Sequence, residues 1–476
     1  MSIEPIRRQA LISFAKLIIL TLLGYIATMY FAHVLGPGVL GSYYLFLAYY
    51  GVFSLIGDGG FGGAATKRIS EGHEPNQFFS AYIVLRVILL AVSVISLLAI
   101  SSQLTDFVTS GLLPLLILAL ITGTIAGFSS TGVYGAGKVG VVQTSDFLNN
   151  SVKTIVQIIA TYLGYAAYGL AGGFIIGMFV GLVINFRYLP LKLARFGKDH
   201  LKSLFSFSFW IFLTSSGFLV FSTADTILIG HFLTNADVGI YRIAYQLSGV
   251  ALFTCMALNV VLFPRMSRWG VEGDLAGIKN ALSRAFSFSL LFALPVLIGG
   301  LVLSDRLLFF LYGADFEQGS LALIILLIMQ IFGIFVTLQI TCLNALDYPR
   351  KSFVATSCAA IINIILNLFF IPLLGITGAA LATLISVSLN ALLSYLYLSQ
   401  TIPILVERGP LRNILFSALC MGVCVGVYRL VFDLTSVVSL AGVILIGAAL
   451  YFLILLRLDS HLKQELVGFL QIFGLQ

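Results

Sequence analysis

Long apolar runs recur along the whole chain, and short polar stretches rich in glycine, proline and basic residues separate them. Each run holds about 20 residues or more, which is enough for an α-helix to cross a hydrocarbon core of about 30 Å. The runs predict fourteen helices, at 10–33, 38–57, 79–101, 111–135, 143–164, 168–190, 204–231, 237–263, 283–304, 318–346, 352–372, 376–399, 411–431 and 437–456. The pattern therefore predicts an all-α, polytopic membrane protein with about 14 transmembrane helices.

Composition supports this prediction. The chain is 59% hydrophobic and only 9% charged, with a mean hydropathy of +1.07, whereas soluble domains carry roughly 25% charged residues. The net charge of +7 would suggest a nucleic-acid partner in a soluble protein, but here we expect none. The five cysteines all fall within apolar runs, where we interpret them as packing residues.

The chain contains an internal repeat. AHVLGPGVLGSYYLFLAYYG at 32–51 returns in altered form within FSTADTILIGHFLTNADVGIYRIAYQLSG at 221–249, shifted by about 198 positions. Identical residues at this offset are His33 and His231, Leu35 and Leu233, Gly41 and Gly239, Tyr43 and Tyr241, and Gly51 and Gly249. The repeat predicts six-helix bundles at 1–202 and 203–400, followed by two further helices and a tail at 401–476. We expect a pseudo-two-fold axis along the membrane normal, with the substrate path between the bundles.

The distribution of basic residues predicts the topology. Most of the 26 lysines and arginines fall in alternate connections, and the longest basic connection covers 187–203. The positive-inside rule assigns those connections to the cytoplasm. We therefore expect a multi-pass protein of the cell membrane with both termini in the cytoplasm.

One polar stripe stands out within the predicted helix 143–164. Asp146, Asn150, Lys153 and Gln157 follow an i, i+4, i+7, i+11 spacing, which places them on one helix face. Lys153 lies near the middle of the predicted span, where an unpaired charge is costly. We interpret the stripe as the lining of a wet cavity. A structural ion pair between Lys153 and Asp146 is the alternative.

Other polar residues fall inside predicted spans. Arg86 is a further candidate for cavity lining, although its side chain could also reach the interface. Asp225 and Arg242 form either a structural ion pair or a gating or ion-coupling pair. Asn363 and Asn367 belong to an uncharged stripe that is equally compatible with a cavity wall and with hydrogen bonds between helices. Asp58 is expected to be a solvated helix cap.

Several motifs together resemble one family. AHVLGPGVLGSYY, DTILIGHFL with VGIYRIAY, LFPRMS at 262–267, LYGADF at 311–316 and NLFFIPLLGITGAALA at 367–382 are similar to Wzx-type oligosaccharide flippases. These are the polysaccharide-biosynthesis branch of the multidrug/oligosaccharidyl-lipid/polysaccharide (MOP) exporter superfamily. The resemblance implies a two-bundle transporter that moves a lipid-linked oligosaccharide across the cytoplasmic membrane by alternating access.

The expected partners are the lipid-linked oligosaccharide, the bilayer and glycan assembly proteins, and a monomer is expected. GDGGFG at 57–62 and GVYGAGKV at 132–139 lack the strand context of nucleotide sites. We therefore expect no cofactor or metal, and transport driven by membrane potential or a coupling ion, H⁺ or Na⁺. Alternatives are a cation-coupled multidrug exporter and a peptidoglycan-precursor exporter of the same superfamily. A membrane enzyme is disfavoured because no acid pair or long catalytic loop is present.

Overall fold

The computed structural model describes residues 3–103, 107, 110–403 and 408–459. Regular structure in these ranges is helical throughout, which confirms the all-α class. The helices are α1 (Ile3–Asp58), α2 (Phe61–Ser70), α3 (Pro75–Ile100), α4 (Leu113–Gly135), α5 (Val139–Tyr162), α6 (Ala166–Tyr188), α7 (Lys198–Phe232), α8 (Asn235–Ser248), α9 (Phe253–Glu272), α10 (Leu275–Tyr312), α11 (Ser320–Ala345), α12 (Pro349–Ser399), α13 (Arg408–Val431) and α14 (Val437–Leu458). Short 3₁₀ turns lie at Ser101–Gln103, Gly249–Leu252 and Ala314–Gly319.

Two of these helices are kinked where the sequence predicts a boundary between helices. α1 breaks at Gly36, which has φ 72° and is followed by Pro37. α12 breaks at Gly375, which has φ 60°. Left-handed backbone at these points is accessible to glycine at little cost. Each long helix therefore has two arms, which correspond to two of the predicted spans.

Helix α2 was not predicted. It is only ten residues long and begins within the glycine-rich stretch that follows α1. Its buried side chains are Phe61, Ala64, Ala65 and Ile69, whose spacing gives the helix one apolar face. The helix packs against α3, α4 and α7, so the region between α1 and α3 is part of the fold and not a loose loop.

Ten helical segments in the described ranges are long and apolar enough to cross a membrane. They include α3 and α6 and the long kinked helices α1 and α12. The protein is therefore a multi-pass membrane protein. α5 is not among the ten segments, because its polar side chains lower the hydropathy of the helix. It packs lengthwise against α6, which can shield those side chains from lipid.

Contacts between Cα atoms divide the chain into two compact units, Met1–Gly239 and Ile240–Gln476. The first unit thus extends beyond residue 202, the predicted end of the first bundle. The reason is that α7 packs on α1, α2 and α3 and buries Leu204 in a cluster with Phe61 and Tyr82. The pseudo-two-fold arrangement of two six-helix bundles stays a prediction.

The last two helices belong to the core of the second unit. Ile414 and Met421 of α13 and Tyr451 of α14 lie in the same apolar cluster as Phe286 of α10. The Tyr451 hydroxyl donates a hydrogen bond to the carbonyl of Leu291, 2.7 Å away. The predicted tail beyond these helices, 460–476, lies outside the described residues.

Candidate functional site

The polar stripe of α5 is held together by a chain of hydrogen bonds. The Asn150 amide donates to the backbone carbonyl of Asp146 at 2.9 Å, which fixes the orientation of that amide. Its Oδ1 atom then accepts a hydrogen bond from Nζ of Lys153, also at 2.9 Å. The Lys153 side chain is half-buried. The helix itself therefore positions the ammonium group one turn from Asn150.

This geometry differs from the alternative that the sequence left open. Asp146 is exposed, and no ion pair joins it to Lys153 among the described side chains. The hydrogen-bond partner of Lys153 is a neutral amide oxygen. Among the side chains that the structure describes, no carboxylate forms an ion pair with Lys153. A positive charge here is hydrogen-bonded without a counter-charge from these residues, so it can attract an anion.

Helix α6 makes room for this stripe. Four glycines at four-residue intervals on α6 face α5, and they are Gly169, Gly173, Gly177 and Gly181. A Cβ on Gly177 would lie 2.7 Å from the Asn149 carbonyl oxygen and 2.8 Å from Cβ of Lys153. Only glycine permits so close an approach. The stem of Lys153 is thereby packed on the backbone of α6.

Gln157 lies at the buried end of the stripe. Its amide donates to the Tyr43 hydroxyl at 2.8 Å and to the Leu170 carbonyl at 2.7 Å. This side chain therefore ties α5 to α1 and α6. Of the four predicted stripe residues, Asn150 and Lys153 are hydrogen-bonded to each other, Asp146 is exposed, and Gln157 is buried and hydrogen-bonded to α1 and α6.

Arg86 belongs to a separate polar cluster. Its Nη1 lies 3.0 Å from Oδ1 of Asp58 and donates to the Tyr82 hydroxyl at 2.7 Å. That hydroxyl lies 3.3 Å from Oγ1 of Thr131 on α4. Arg86 is only 7% exposed. The prediction that Asp58 is a solvated cap is wrong, because its carboxylate neutralises a buried arginine.

Asn363 and Asn367 lie on the first arm of α12, and both are fully buried. Asn363 donates to Thr383 at 3.3 Å and to Ser386 at 3.2 Å, on the second arm. Asn367 donates to Oδ1 of Asn363 at 3.1 Å. These bonds hold the two arms together, as in the alternative of hydrogen bonding between helices that the sequence left open.

Asp225 is buried on α7, and Arg242 is half-buried on α8. The guanidinium carbon of Arg242 lies 5.4 Å from the ring centroid of Tyr245, a cation–π distance. The roles of Asp225 and Arg242 in gating or ion coupling stay predictions. Across the described residues, no group of three or more His, Cys, Asp and Glu side chains could hold a metal ion.

Comparison with known proteins gives a consistent result. A family described as "Polysaccharide biosynthesis protein" matches residues 30–321. The "Probable low-salt glycan biosynthesis flippase Agl15" of Haloferax volcanii is 29% identical over 434 residues, covering 90% of this chain and 91% of its own length. The "Probable flippase AglR" of the same organism is 25% identical, with 96% and 97% covered.

A solved structure shares the fold. The lipid II flippase MurJ, in an inward closed conformation, superposes with a TM-score of 0.79 and covers 96% of this chain and 100% of its own. The sequence identity is 18%, so this likeness concerns the fold alone.

Proposed function

Because the chain belongs to the polysaccharide biosynthesis protein family, we propose that it is a flippase for lipid-linked oligosaccharides. Its substrate is a polyprenyl phosphate or diphosphate that carries a glycan, and the headgroup moves from the cytoplasmic to the outer leaflet. The relatives that match nearly the full chain are named as flippases, one of them for glycan biosynthesis. Alternating access is the mechanism expected for this fold, and glycan polymerisation or transfer is left to other proteins.

The observation that carries the proposal is the state of Lys153. A polar, anionic headgroup loses its hydration when it enters the membrane. It can cross only where polar or cationic side chains, or enclosed water, compensate for that loss. Lys153 offers an ammonium group whose hydrogen-bond partner is the neutral Asn150. Arg86 is already neutralised by Asp58. We therefore assign the phosphate contact to Lys153 and Asn150, and treat Arg86 as a structural residue.

A cationic drug is a poorer fit to this helix than an anionic headgroup. Drug sites for cations need an available carboxylate, but Asp58 is paired with Arg86. Asp146 shares one face of α5 with the ammonium group of Lys153, which would repel a bound cation. A peptidoglycan precursor is likewise carried on an anionic, phosphate-linked lipid and is the closer alternative. The named relatives favour the oligosaccharide.

Transport is proposed to draw on the membrane potential. A headgroup that moves outward across an inside-negative membrane gains about 2.3 kcal/mol per negative charge per 100 mV. A coupling ion, H⁺ or Na⁺, could add to this drive, with Asp225 and Arg242 as the candidate residues. Imposing a potassium-diffusion potential on vesicles that contain the protein tests the first source, and clamping it at zero should slow flipping.

The decisive experiment replaces Lys153. Lys153→Ala should reduce flipping of a lipid-linked oligosaccharide at least about tenfold, since the site loses its charge, while Lys153→Arg should retain most of it. Asp146→Asn on the same helix is the matched control and should stay near the wild-type rate. Equal membrane abundance of the variants must be verified. Wild-type flipping by Lys153→Ala would remove this residue from the mechanism.

A further inference from the structure

A short extended segment connects α6 to α7, and it is fixed on the first unit. We call residues 189–197 the strap. The Lys192 backbone amide donates to Oδ1 of Asn76 at 2.9 Å, and the Ala194 amide donates to Oγ of Ser80 at 2.8 Å. Both acceptors lie in the first two turns of α3. The strap thus follows the end of that helix.

The start of α7 continues this attachment. The Gly197 amide donates to Nδ1 of His200 at 3.1 Å, so Nε2 of the imidazole carries the hydrogen. Nε2 lies 2.9 Å from Oε2 of Glu74, and the ring stacks edge-on against Phe78 at 4.8 Å. Together with the contacts of Lys192 and Ala194, these hold the middle and the C-terminal end of the strap on residues at the start of α3.

The side chains of the strap divide into two sets. The apolar ones pack on the cluster that contains Phe79 and Tyr82, and they are Leu189, Leu191 and Phe196. The cations Lys192 and Arg195 are exposed, as is Lys198 at the first position of α7. Leu193 is 77% exposed between the cations. The strap therefore has an apolar inner face and a cationic outer face that includes one exposed leucine.

The helices α6 and α3, which flank the strap, place its outer face at the level of the lipid headgroups. The strap begins directly after α6, a membrane-crossing segment, and lies against the first turns of α3, another such segment. Both ends of these segments must emerge from hydrocarbon at the level of the lipid headgroups. Nearby, Nζ of Lys138 donates to the Tyr188 carbonyl at 3.1 Å and adds a further positive charge.

Two carboxylates lie in the same region. Glu74 is bonded to His200, and Asp199 lies next to Lys198 in the first turn of α7. The cations outnumber them. A merely topological role requires only that positive charge be present near the span, and a loose loop would satisfy it. The observed backbone hydrogen bonds hold the strap, and with it the positions of its cations, in one conformation. The positive-inside rule alone would not require such a fixed conformation.

We propose that the outer face of the strap binds phosphate-bearing lipid headgroups. Lys192, Arg195 and Lys198 supply the charge, and Leu193 inserts among the acyl chains. Two lipids carry the required chemistry: an anionic phospholipid of the surrounding leaflet and the polyprenyl diphosphate of a substrate that waits to enter. Cations on a membrane surface strengthen binding to anionic lipid several-fold each, and salt weakens it.

The test measures lipid retained by the full-length protein in neutral detergent, counted by native mass spectrometry. One arm uses phosphatidylglycerol and the other uses a polyprenyl diphosphate. The variant Lys192→Gln/Arg195→Gln/Lys198→Gln should lower apparent affinity on the order of a hundred-fold in at least one arm. The matched control, Arg265→Gln/Arg268→Gln/Arg350→Gln, removes three exposed cations elsewhere and should lose much less.

A second variant separates ordered charge from charge alone. Asn76→Ala/Ser80→Ala removes both acceptors that hold the strap and leaves every charge in place, so lipid affinity should fall several-fold. Loss in the phosphatidylglycerol arm identifies a membrane lipid, and loss confined to the diphosphate arm identifies the substrate. Unchanged retention by both strap variants in both arms would overturn the proposal. These binding results do not depend on flipping, so they leave the function proposed above to its own test.

Discussion

Nη1 of Arg86 on α3 lies 3.0 Å from Oδ1 of Asp58 at the end of α1, and the Tyr82 hydroxyl accepts from the same nitrogen. The arginine side chain is 9% exposed and the aspartate 27%. A charge buried to this extent is tolerable only with a partner. The pair therefore joins α1 to α3. Because its charge is neutralised by Asp58, we do not count Arg86 among the residues that bind a substrate.

Removing one member of this pair should destabilise the protein strongly. Asp58→Asn leaves a buried guanidinium without its counter-charge, at a cost of about 3–5 kcal/mol in the free energy of unfolding. Asp58→Asn combined with Arg86→Gln should recover much of the loss. The measurement is the thermal unfolding midpoint of the purified protein in detergent.

An exposed ion pair serves as the control for that experiment. Arg68 and Glu71 on the neighbouring surface are joined at 2.9 Å, and Arg68→Gln should change stability by no more than about 1 kcal/mol. If Asp58→Asn unfolded at the same temperature as Arg68→Gln, the Arg86–Asp58 pair would stabilise the protein no more than an ion pair at the surface does.

The contact between α5 and α6 gives a second prediction. Gly177→Ala places a methyl group against the Asn149 carbonyl and the Cβ of Lys153, so the two helices must separate. We expect a loss of about 1–3 kcal/mol in stability, with slower flipping because Lys153 is displaced.

The same helix supplies the matched comparison. A Cβ at Gly172 would meet no atom within 4 Å, so Gly172→Ala should be neutral or stabilising by up to about 1 kcal/mol. Flipping by Gly172→Ala should stay at the wild-type rate. Equal effects of the two alanines would show that close packing at 177 does not position the lysine.

The sequence predicts the helices well because each membrane span is a local property of some 20 consecutive residues. It predicts both kinks as boundaries, at Gly36 and Gly375. It misses α2, since a ten-residue helix whose first residues include two glycines is hard to distinguish from a loop. Such short, glycine-rich segments acquire their structure from tertiary packing.

Contacts between distant residues are less predictable. The spacing of Lys153 and Asp146 is compatible with an ion pair, yet the Lys153 side chain donates its hydrogen bond to Asn150. Which of these partners is contacted depends on the rotamer of Lys153, and residue spacing does not determine that rotamer. The partner of Arg86 is Asp58, which belongs to another helix and precedes Arg86 by 28 positions. Only the folded arrangement identifies such a pair.

The repeat gives a third prediction, because matched tyrosines have matched roles. Tyr43 accepts from Gln157 on α5, and Tyr241 lies 3.4 Å from Thr383 on α12, which is bonded to Asn363. Tyr43→Phe and Tyr241→Phe should each cost about 1 kcal/mol, the net value of one buried hydrogen bond. The thermal unfolding midpoints of the Tyr43→Phe and Tyr241→Phe variants should fall by similar amounts. Tyr162→Phe, at a position 83% exposed, should leave the midpoint unchanged, and a shift as large there would contradict the assignment.

Besides its apolar packing, the terminal helix pair is joined to α10 by the arginine Arg429, which gives the last prediction. Nη2 of Arg429 on α13 lies 2.6 Å from Oδ2 of Asp305 on α10, and Nη1 donates to the Val302 carbonyl. Arg429→Gln should cost about 1.5–3 kcal/mol, as expected for lost charge-assisted hydrogen bonds, and should increase proteolytic cleavage in the 432–436 turn. Arg306 lies farther from Asp305, at 3.7 Å, so Arg306→Gln should leave cleavage nearly unchanged. Each variant removes one positive charge close to Asp305, so similar cleavage of the two would show that the contact between Arg429 and Asp305 does not hold the helix pair.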